Sequence, residues 1–583
     1  MAFDDGDAPR APRAGPIANE EGLLALGSAI ERRPAPRSRR RRVRHRRRWV
    51  LWTGVGVGTV TLLVVLALVA DYLYLGSLVS HVKVTSLQTN GSSTNILLVG
   101  STDRCALKVQ NPAYGLCSQG VTGVNSDIVM VAHLGANGQV SLLSIPRDLF
   151  VPNARIGDNA NKIDAALYNG PSQLAVAIEE DFGIPINHYV ELNFDTFANV
   201  VNAVGGIDMY FPKRVIDYES GLHIAQPGCY HLDGLHALQV VRARHLQIQY
   251  SVAADGTDPR NWPQEAQSDL ARIRRTHEFL RVVAAKISAM GIGNPIQDQS
   301  LATSVLPDLT VDNGFSEGTM VSLASTYAGT KISQVPQLTY PVVLNMSDPQ
   351  NGDSYLYQGY YYGNVAFPVQ PGGWQSVDTV FGVTADQSPW NGNPLPPPGS
   401  FPMSVENGTG IANQAATVAT ALGRHGFDVT QTGDRAPVGT TAETVVWYGG
   451  PPPPPSGNWS SASLEEALRV MTEIQGPVIL GYNPAMVTRG DLVTVQTGSD
   501  VSVATKDWTA PPPTTTTLAN TTTSTSVAHV TTTTSPVTAT TVYDPPGIRT
   551  DNSFSAPSAT VQPLQPWDPR ACTAGMKVMV DRS

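Results

Sequence analysis

Val240-Val241-Arg242-Ala243-Arg244-His245 carries two guanidinium groups two positions apart. Read as a strand, that spacing sends Arg242 and Arg244 to one face and Val241 and Ala243 to the other. Ser144-Ile145-Pro146-Arg147-Asp148 supplies a further arginine at the end of an apolar run that Pro146 stops. Ser268 to Arg275 adds Arg272 and Arg275, neighbours on one face of a helix whose buried stripe is Leu270, Ile273, Leu280 and Val283. Converging guanidiniums repel one another unless a polyanion sits among them, and their planar forks suit phosphate oxygens better than lysine does. Five arginines from three elements therefore point to a phosphate or pyrophosphate site. Taken singly, each could as well be a surface ion pair with Asp or Glu.

The elements that must position these groups alternate along the chain. Asn95 to Gly100 reads as a continuous apolar strand buried on both faces, Asp127 to Val131 and Val140 to Ile145 as strands flanking a Gly135 to Gly138 turn. Helix at Gln173–Asp181, strand at Tyr189–Phe194, helix at Thr196–Val204 and strand at Ile207–Phe211 follow. Leu235 to Leu238 reads as a short helix feeding the Arg242 strand, and Glu265 to Met290 as a long helix. The mixture predicts an α/β sandwich around a largely buried sheet.

At 583 residues, with 41% hydrophobic and 15% charged side chains, the chain has material for more than one core. Its formal charge of −9 is uneven, because the first 48 residues hold 13 arginines against 6 acids. Trp49 to Ala70 is charge-free and long enough to cross a bilayer of about 30 Å as a helix. Arginines abut its N-terminal end, so the positive-inside rule keeps the tail cytoplasmic and everything after Asp71 outside. The apolar run is too long for an ordinary signal peptide, so an uncleaved membrane anchor is expected, and no nucleic-acid partner is read from the arginines beside it. Of four cysteines, Cys105 and Cys117 bracket a short loop and are expected to pair, which would leave Cys229 with Cys572.

Asn95-Ile96-Leu97-Leu98-Val99-Gly100-Ser101, Ser126-Asp127, Ser144-Ile145-Pro146-Arg147-Asp148, Asn161-Lys162-Ile163, Asn193-Phe194-Asp195, Val204-Gly205-Gly206, Leu232-Asp233-Gly234, Val241-Arg242-Ala243-Arg244 and Asp269-x-x-Arg272-x-x-Arg275 occur in an order that resembles the LytR-CpsA-Psr family. Met403 to Gly410, leading into Ile411–Arg424 and Phe427–Val429, resembles the LytR C-terminal domain of actinobacterial members. The resemblance implies a central mixed sheet flanked by helices, a small C-terminal α/β domain and one N-terminal transmembrane helix. The expected organisation is a disordered basic cytoplasmic tail (1–48), transmembrane helix (49–70), stalk (71–93), catalytic domain (94–383), Pro-rich linker (384–401), C-terminal domain (402–505) and a Thr/Pro-rich low-complexity tail (506–583).

The activity so implied is a phosphotransferase of the cell membrane. It moves a glycopolymer from a polyprenyl pyrophosphate carrier to peptidoglycan at the outer face, generally with Mg2+. Arg147, Arg242, Arg244, Arg272 and Arg275 would clamp the phosphates, Asp127 would hold magnesium, and Asp127 or Asp103 would take the acceptor proton. Asp148 and Asp269 would orient arginines. Asp103 is a less secure metal ligand than Asp127, because Thr102 occupies the position where the family carries its aspartate. Leu167, Phe182, Phe194, Phe197, Val200, Val201 and Phe279 are candidates to line a tunnel for the lipid tail, with plain core packing the better account of each singly. His236, His245 and His277 are left out of the site. A second reading is a non-catalytic protein of the same fold that binds lipid pyrophosphate or the wall.

Overall fold

The structure, a computed structural model, describes residues 74–504 apart from internal stretches, the longest being 291–302, 345–354 and 450–461, together with residues 564–580. The basic tail, the expected anchor at 49–70 and the Thr/Pro tract at 511–542 lie outside the described residues. Among the described residues no helix is long and apolar enough to cross a membrane.

A seven-stranded sheet forms the centre. Its first members are β1 (Ser80–Val82), β2 (Thr94–Ser101), β3 (Ser126–Leu134) and β4 (Val140–Ile145). A hairpin of β5 (Phe150–Arg155) and β6 (Asn159–Lys162) and helix α1 (Pro171–Phe182) precede β7 (His188–Leu192). The order across the sheet is β1, Leu309–Asp312, β7, β2, β3, β4 and Gln337–Thr339, with parallel and antiparallel pairs mixed. The apolar run of β2 fits its place: Leu97 and Val99 enter the main core, while Ile96 and Leu98 pack against Val190, Val311 and Phe315 on the other face. β1 lies in the stretch expected to be a stalk, yet it is an edge strand of this sheet.

β2, β4 and β7 finish at the same end of the sheet, where β3 begins. In open α/β sheets the carboxyl ends of strands are where ligands bind. Arg147 follows β4 there, Asp127 sits at the start of β3, and Asn193 and Phe194 follow β7.

Asn193 caps α2 (Phe194–Ala203), its side chain accepting from the Thr196 amide at 2.9 Å. β8 (Ile207–Phe211) leads by way of Gly228–Leu232 to α3 (Gly234–Arg242), capped in the same manner by Asp233 at 3.0 Å from the His236 amide. This corrects the expected strand at Val240–His245. The cap starts a helix, the stripe Ala237, Leu238, Val240 and Val241 buries one face, and the turn closes only when the Ala243 amide reaches the Gln239 carbonyl. Val240 and Val241 favour strands by intrinsic preference, but that preference is weaker than a cap plus a buried face. α4 (Ser268–Met290) is the long helix anticipated from Glu265 onward.

The second predicted domain shares a sheet with the first. Val342–Leu344 pairs with Ala366–Gln370, which pairs with Ile474–Tyr482, and the sheet continues through Thr444–Tyr448, Val493–Thr497, Pro402–Asn407 and Asp428–Asp434. Asn153 on β5 stitches the two with Nδ2 donating to the Tyr482 carbonyl (3.0 Å) and Oδ1 accepting the Tyr482 amide (3.2 Å). Leu174, Ile178, Leu468 and Ile479 belong to one apolar core.

The stretch after the Thr/Pro tract is not uniformly low in structure, as 506–583 was expected to be. Arg570–Ala571 pairs with β8, Val578–Val580 pairs in parallel with Gly228–Leu232, and Cys572 is bonded to Cys229. Cys105 and Cys117 form the other disulfide.

Because the two regions share strands and one core, cutting the chain after residue 400 uncovers the face of α1 and strands an edge at Ala366–Gln370. Such a fragment is expected to aggregate more and to melt at lower temperature and less cooperatively than the full chain, as read by size-exclusion chromatography and thermal denaturation of both.

Candidate functional site

At the strand ends the pairing of β2 with β3 slips by one residue: Gly100 opposes Ile128 and Ser101 opposes Ser126. Asp127 is the unopposed residue of this β-bulge, a device that re-aims a side chain. Its carboxylate accepts from Nη1 of Arg147, and its side chain keeps 26% exposure. Arg147 enters from β4 through the turn that Pro146 opens, with the Leu149 amide on the Pro146 carbonyl at 3.1 Å.

Around Arg147 the acids and bases interlock. Asp148 accepts from Lys162 Nζ at 3.0 Å and from Arg244 Nη2 at 3.1 Å. Asp269, at the first turn of α4, accepts from Arg272 Nε at 3.1 Å and Nη2 at 2.9 Å. Its Oδ1 is also 3.7 Å from the Nε atoms of both Arg147 and Arg244. Burial works against the Arg147 charge, yet Asp127, Asp148, Asp269 and Asp164 outweigh it and hold the guanidinium above its ordinary pKa. Three polar atoms in this cage are buried without a hydrogen-bond partner: Nε of Arg147, Nε of Arg244 and Oδ2 of Asp269.

Arg242 and Arg275 are placed elsewhere. Arg242, the last residue of α3, stands over the Phe194 ring at 4.8 Å, with Arg104 over the same ring at 5.6 Å. It lines the same end of the sheet but does not share a face with Arg244, since one sits on a helix and the other beyond its end. Arg275 is 1% exposed and is held by Glu265 and the Ala243 carbonyl. The expectation that it clamps phosphate is therefore corrected: its fork is filled by protein acceptors.

Asp103 turns back on its own loop, Oδ1 accepting the Cys105 amide at 2.9 Å. Thr102 bonds with Asn125, its amide donating to the Asn125 carbonyl at 2.9 Å and its Oγ1 accepting the Asn125 amide at 3.0 Å, and Asp103 follows in the turn beyond. Among the described residues no group of three or more Asp, Glu, His or Cys is placed to hold a metal. Of the acids around Arg147, Asp127 keeps the most exposure, 26% against 16% for Asp148 and 10% for Asp269.

Two charged residues of the cage were missed by sequence reasoning, Lys162 and Asp164. Their signal was present in Asn161-Lys162-Ile163-Asp164, which brings a cation and an acid onto a strand end. Burial pushes the Asp164 carboxyl up to about 7, helped by Asp148 and Asp127 and opposed by Arg147 and Lys162. His277 stays outside the cage, bonded to Ser144 Oγ at 2.7 Å and pushed down to about 4 by burial and then Arg281.

The seven tunnel candidates divide between two cores. Leu167 and Phe182 belong to the core shared with the second domain, whereas Phe194, Phe197, Val200, Val201 and Phe279 cluster beside α2 and α3, Phe197 stacked on Phe279 at 5.1 Å. Leu167 and Phe182 thus stand in a different cluster from the other five. A hollow of about 870 Å3 lies at the opposite end of the sheet, by Gly135 to Gly138, Phe381 and Trp390, and shares no lining residue with the arginines. Between Asp127, Ser144 and Arg272 the crevice is only about 10 Å3.

The arginines and aspartates thus gather at the carboxyl ends of the strands of a mixed α/β sheet, with three of their polar atoms unbonded. Comparison with known proteins makes this more definite. The profile described as the LytR_cpsA_psr family matches residues 76–365, and that described as LytR cell envelope-related transcriptional attenuator matches residues 400–500. The chain belongs to the LytR-CpsA-Psr family and carries its LytR C-terminal domain.

It is 33% identical over 228 residues to the probable cell wall biosynthesis protein LcpB of Corynebacterium glutamicum, covering 39% of this chain and 50% of that protein. It is 34% identical over 196 residues to the polyisoprenyl-teichoic acid–peptidoglycan teichoic acid transferase TagU of Bacillus anthracis, covering 33% and 57%. The chain thus spans about half the length of the curated relatives it matches. Among solved structures, the LytR-Csp2A-Psr enzyme from Actinomyces oris is similar over 47% of this chain and 89% of that one, at 22% identity and a TM-score of 0.37.

The raised Asp164 carboxyl predicts a pH dependence of stability. Between its ordinary value of 3.8 and about 7 the folded protein keeps a proton that the unfolded chain has lost, so this group's contribution falls as pH rises across that window. Asp164→Asn is expected to remove that part of the slope, which denaturant unfolding of both proteins at pH 4 to 8 would measure.

Proposed function

We propose that the cage grips the diphosphate of a polyprenyl-linked glycopolymer and transfers the polymer's terminal phosphate to a hydroxyl of peptidoglycan. The observation that carries this reading is the pair of buried guanidinium N–H groups, Nε of Arg147 and Nε of Arg244, that have no acceptor within hydrogen-bond distance, the carboxylates of Asp148 and Asp269 standing at 3.7 Å. Phosphate oxygens are the acceptors such N–H groups take best. The names of the relatives, cell-wall biosynthesis and teichoic acid transfer to peptidoglycan, support the substrate class. Two disulfides support an oxidising compartment, and the charge-free run at 49–70 supports anchoring at the membrane with the folded regions outside.

In the proposed step the acceptor hydroxyl oxygen bonds to the phosphorus that bears the polymer. The bond from that phosphorus to the bridging oxygen breaks, and polyprenyl monophosphate leaves with the electron pair. Arg147 and Arg244 steady the charge that grows on the non-bridging and leaving oxygens, and Arg272 backs them through Asp269. Asp127, the most open acid of the cage, takes the hydroxyl proton. A magnesium ion held by Asp127 would offset phosphate charge when bound. Asp148 and Asp269 keep the guanidiniums in place between turnovers.

The test uses the full chain with a polyprenyl diphosphate and magnesium, following release of inorganic phosphate. Arg147→Ala is expected to lower the rate by roughly 100-fold to 1,000-fold, the effect of removing one pre-positioned donor. Equal rates in both proteins overturn the clamp. Binding of the diphosphate by wild type without cleavage would instead favour the non-catalytic reading, to which the diverted Asp103 carboxylate lends support.

A further inference from the structure

The segment that follows the Thr/Pro tract returns to the catalytic region, and at Trp567 and Asp568 it meets the back of the arginine cage. Trp567 Nε1 donates to Glu265 Oε1 at 2.9 Å, and its ring meets Tyr250 edge-on at 5.1 Å. Asp568, fully buried, accepts from Arg274 through both Nε and Nη2, the latter at 3.2 Å. Arg274 Nη2 also donates to Glu265 Oε1 at 3.0 Å. The Asp568 carboxylate is steadied in turn by the Gln565 amide at 2.7 Å.

From Glu265 the network runs inward. Its Oε2 accepts from Arg275 Nη1, and Arg275 Nη2 donates to the carbonyl of Ala243. Ala243 is the residue that ends α3 and immediately precedes Arg244, whose guanidinium reaches Asp148 and Asp269 in the cage. Two arginines and two acids, each at most 9% exposed, thus balance one another behind the turn that presents Arg244. Removing one member of a buried network leaves the others with charge or donors unmatched, and the elements they join shift to compensate.

We infer that the C-terminal segment around Trp567 and Asp568 is a working part of the active site, its two side chains being positioning residues that set Arg244 through Glu265 and Arg275. The inference rests on the proposed role of Arg244. Two independent attachments hold the segment in register: the Cys229–Cys572 disulfide and the strand pairings at Arg570–Ala571 and Val578–Val580. A chain ending before residue 564 would keep every family motif and lose this support. The segment lies outside both matched family regions, 76–365 and 400–500.

The test compares full-length wild type with Trp567→Phe, which keeps an aromatic ring on the side of Tyr250 while deleting the indole N–H and its five-membered ring, and with Asp568→Asn. Met576→Ala, an exposed position of the same segment, is the control. Two readouts are taken: cleavage of a polyprenyl diphosphate with kcat and KM separated, and hydrogen–deuterium exchange of the amides from Leu238 to Ile248. Expected for both network variants is a fall in kcat of several-fold or more, with unchanged melting for Trp567→Phe. Faster exchange confined to the Arg244 turn is expected alongside it, with Met576→Ala like wild type.

Unchanged exchange at that turn in both variants overturns the relay whatever the kinetics show. Faster exchange with unchanged kcat in a protein that does cleave the diphosphate overturns the positioning role. Should wild type cleave nothing, the functional reading fails by itself, and binding of the polyprenyl diphosphate replaces kcat: equal affinity in wild type and Trp567→Phe then overturns the inference.

Discussion

The proximity of Arg147 to Asp127, Asp148 and Asp269 is the constraint around which the described residues of the catalytic region are arranged. At about 4 Å two opposite charges attract by roughly 4 kcal/mol at the effective dielectric of a protein near its surface. Withdrawing each ion from water costs several kcal/mol. With Arg147 and Asp269 both mostly buried and 3.7 Å apart, the two terms are of similar size. Such a cage adds little net stability, and what its pairs contribute is the placement of the groups they hold.

Holding them in place needs the sheet. Asp127 depends on a one-residue slip between β2 and β3, Arg147 on the stop that Pro146 gives to β4, and Asp269 on the first turn of α4. These three come from separate parts of the chain and meet only because β2, β4 and β7 finish together where β3 starts. The second domain reinforces the same frame from the other side, since β5 follows Arg147 within a few residues and Asn153 fastens it to Tyr482.

Much of this was legible before any coordinates. The order of motifs gave the family, the residue types gave the gathering of Arg147, Arg244 and Arg272, and the resemblance gave Asp127, Asp148 and Asp269 beside them. Less legible were features decided by partners far along the chain. Arg242 and Arg244 looked alike in a strand-like run of valines, but a cap at Asp233 turned that run into a helix and separated them. Arg275 carries the same residue type at the same helical spacing as Arg272, and nothing local reveals that Glu265 and the Ala243 carbonyl fill its fork. The final segment was hidden by the Thr/Pro tract, whose composition was extended past its end. Cys572, which needs a partner, was the one mark that contradicted that extension.

The paired resting state also bears on how a diphosphate would enter. A cage of bare guanidiniums would be self-repelling when empty, whereas here Asp148 and Asp269 stand among the arginines at 3.1 to 3.7 Å. The Nε–H groups of Arg147 and Arg244 are buried and stand 3.7 Å from carboxylate oxygens of Asp148 and Asp269, too far for a hydrogen bond, so a phosphate oxygen that displaces those carboxylates gains a charged hydrogen bond where only a longer ion pair stood. Lysine at either position could supply the charge but not a second N–H fixed in direction by the first. Orientation is therefore what the aspartates contribute: by occupying Nη1 of Arg147 and Nη2 of Arg244 they fix both guanidinium planes, and charge developing on a bound phosphate would meet donors already placed.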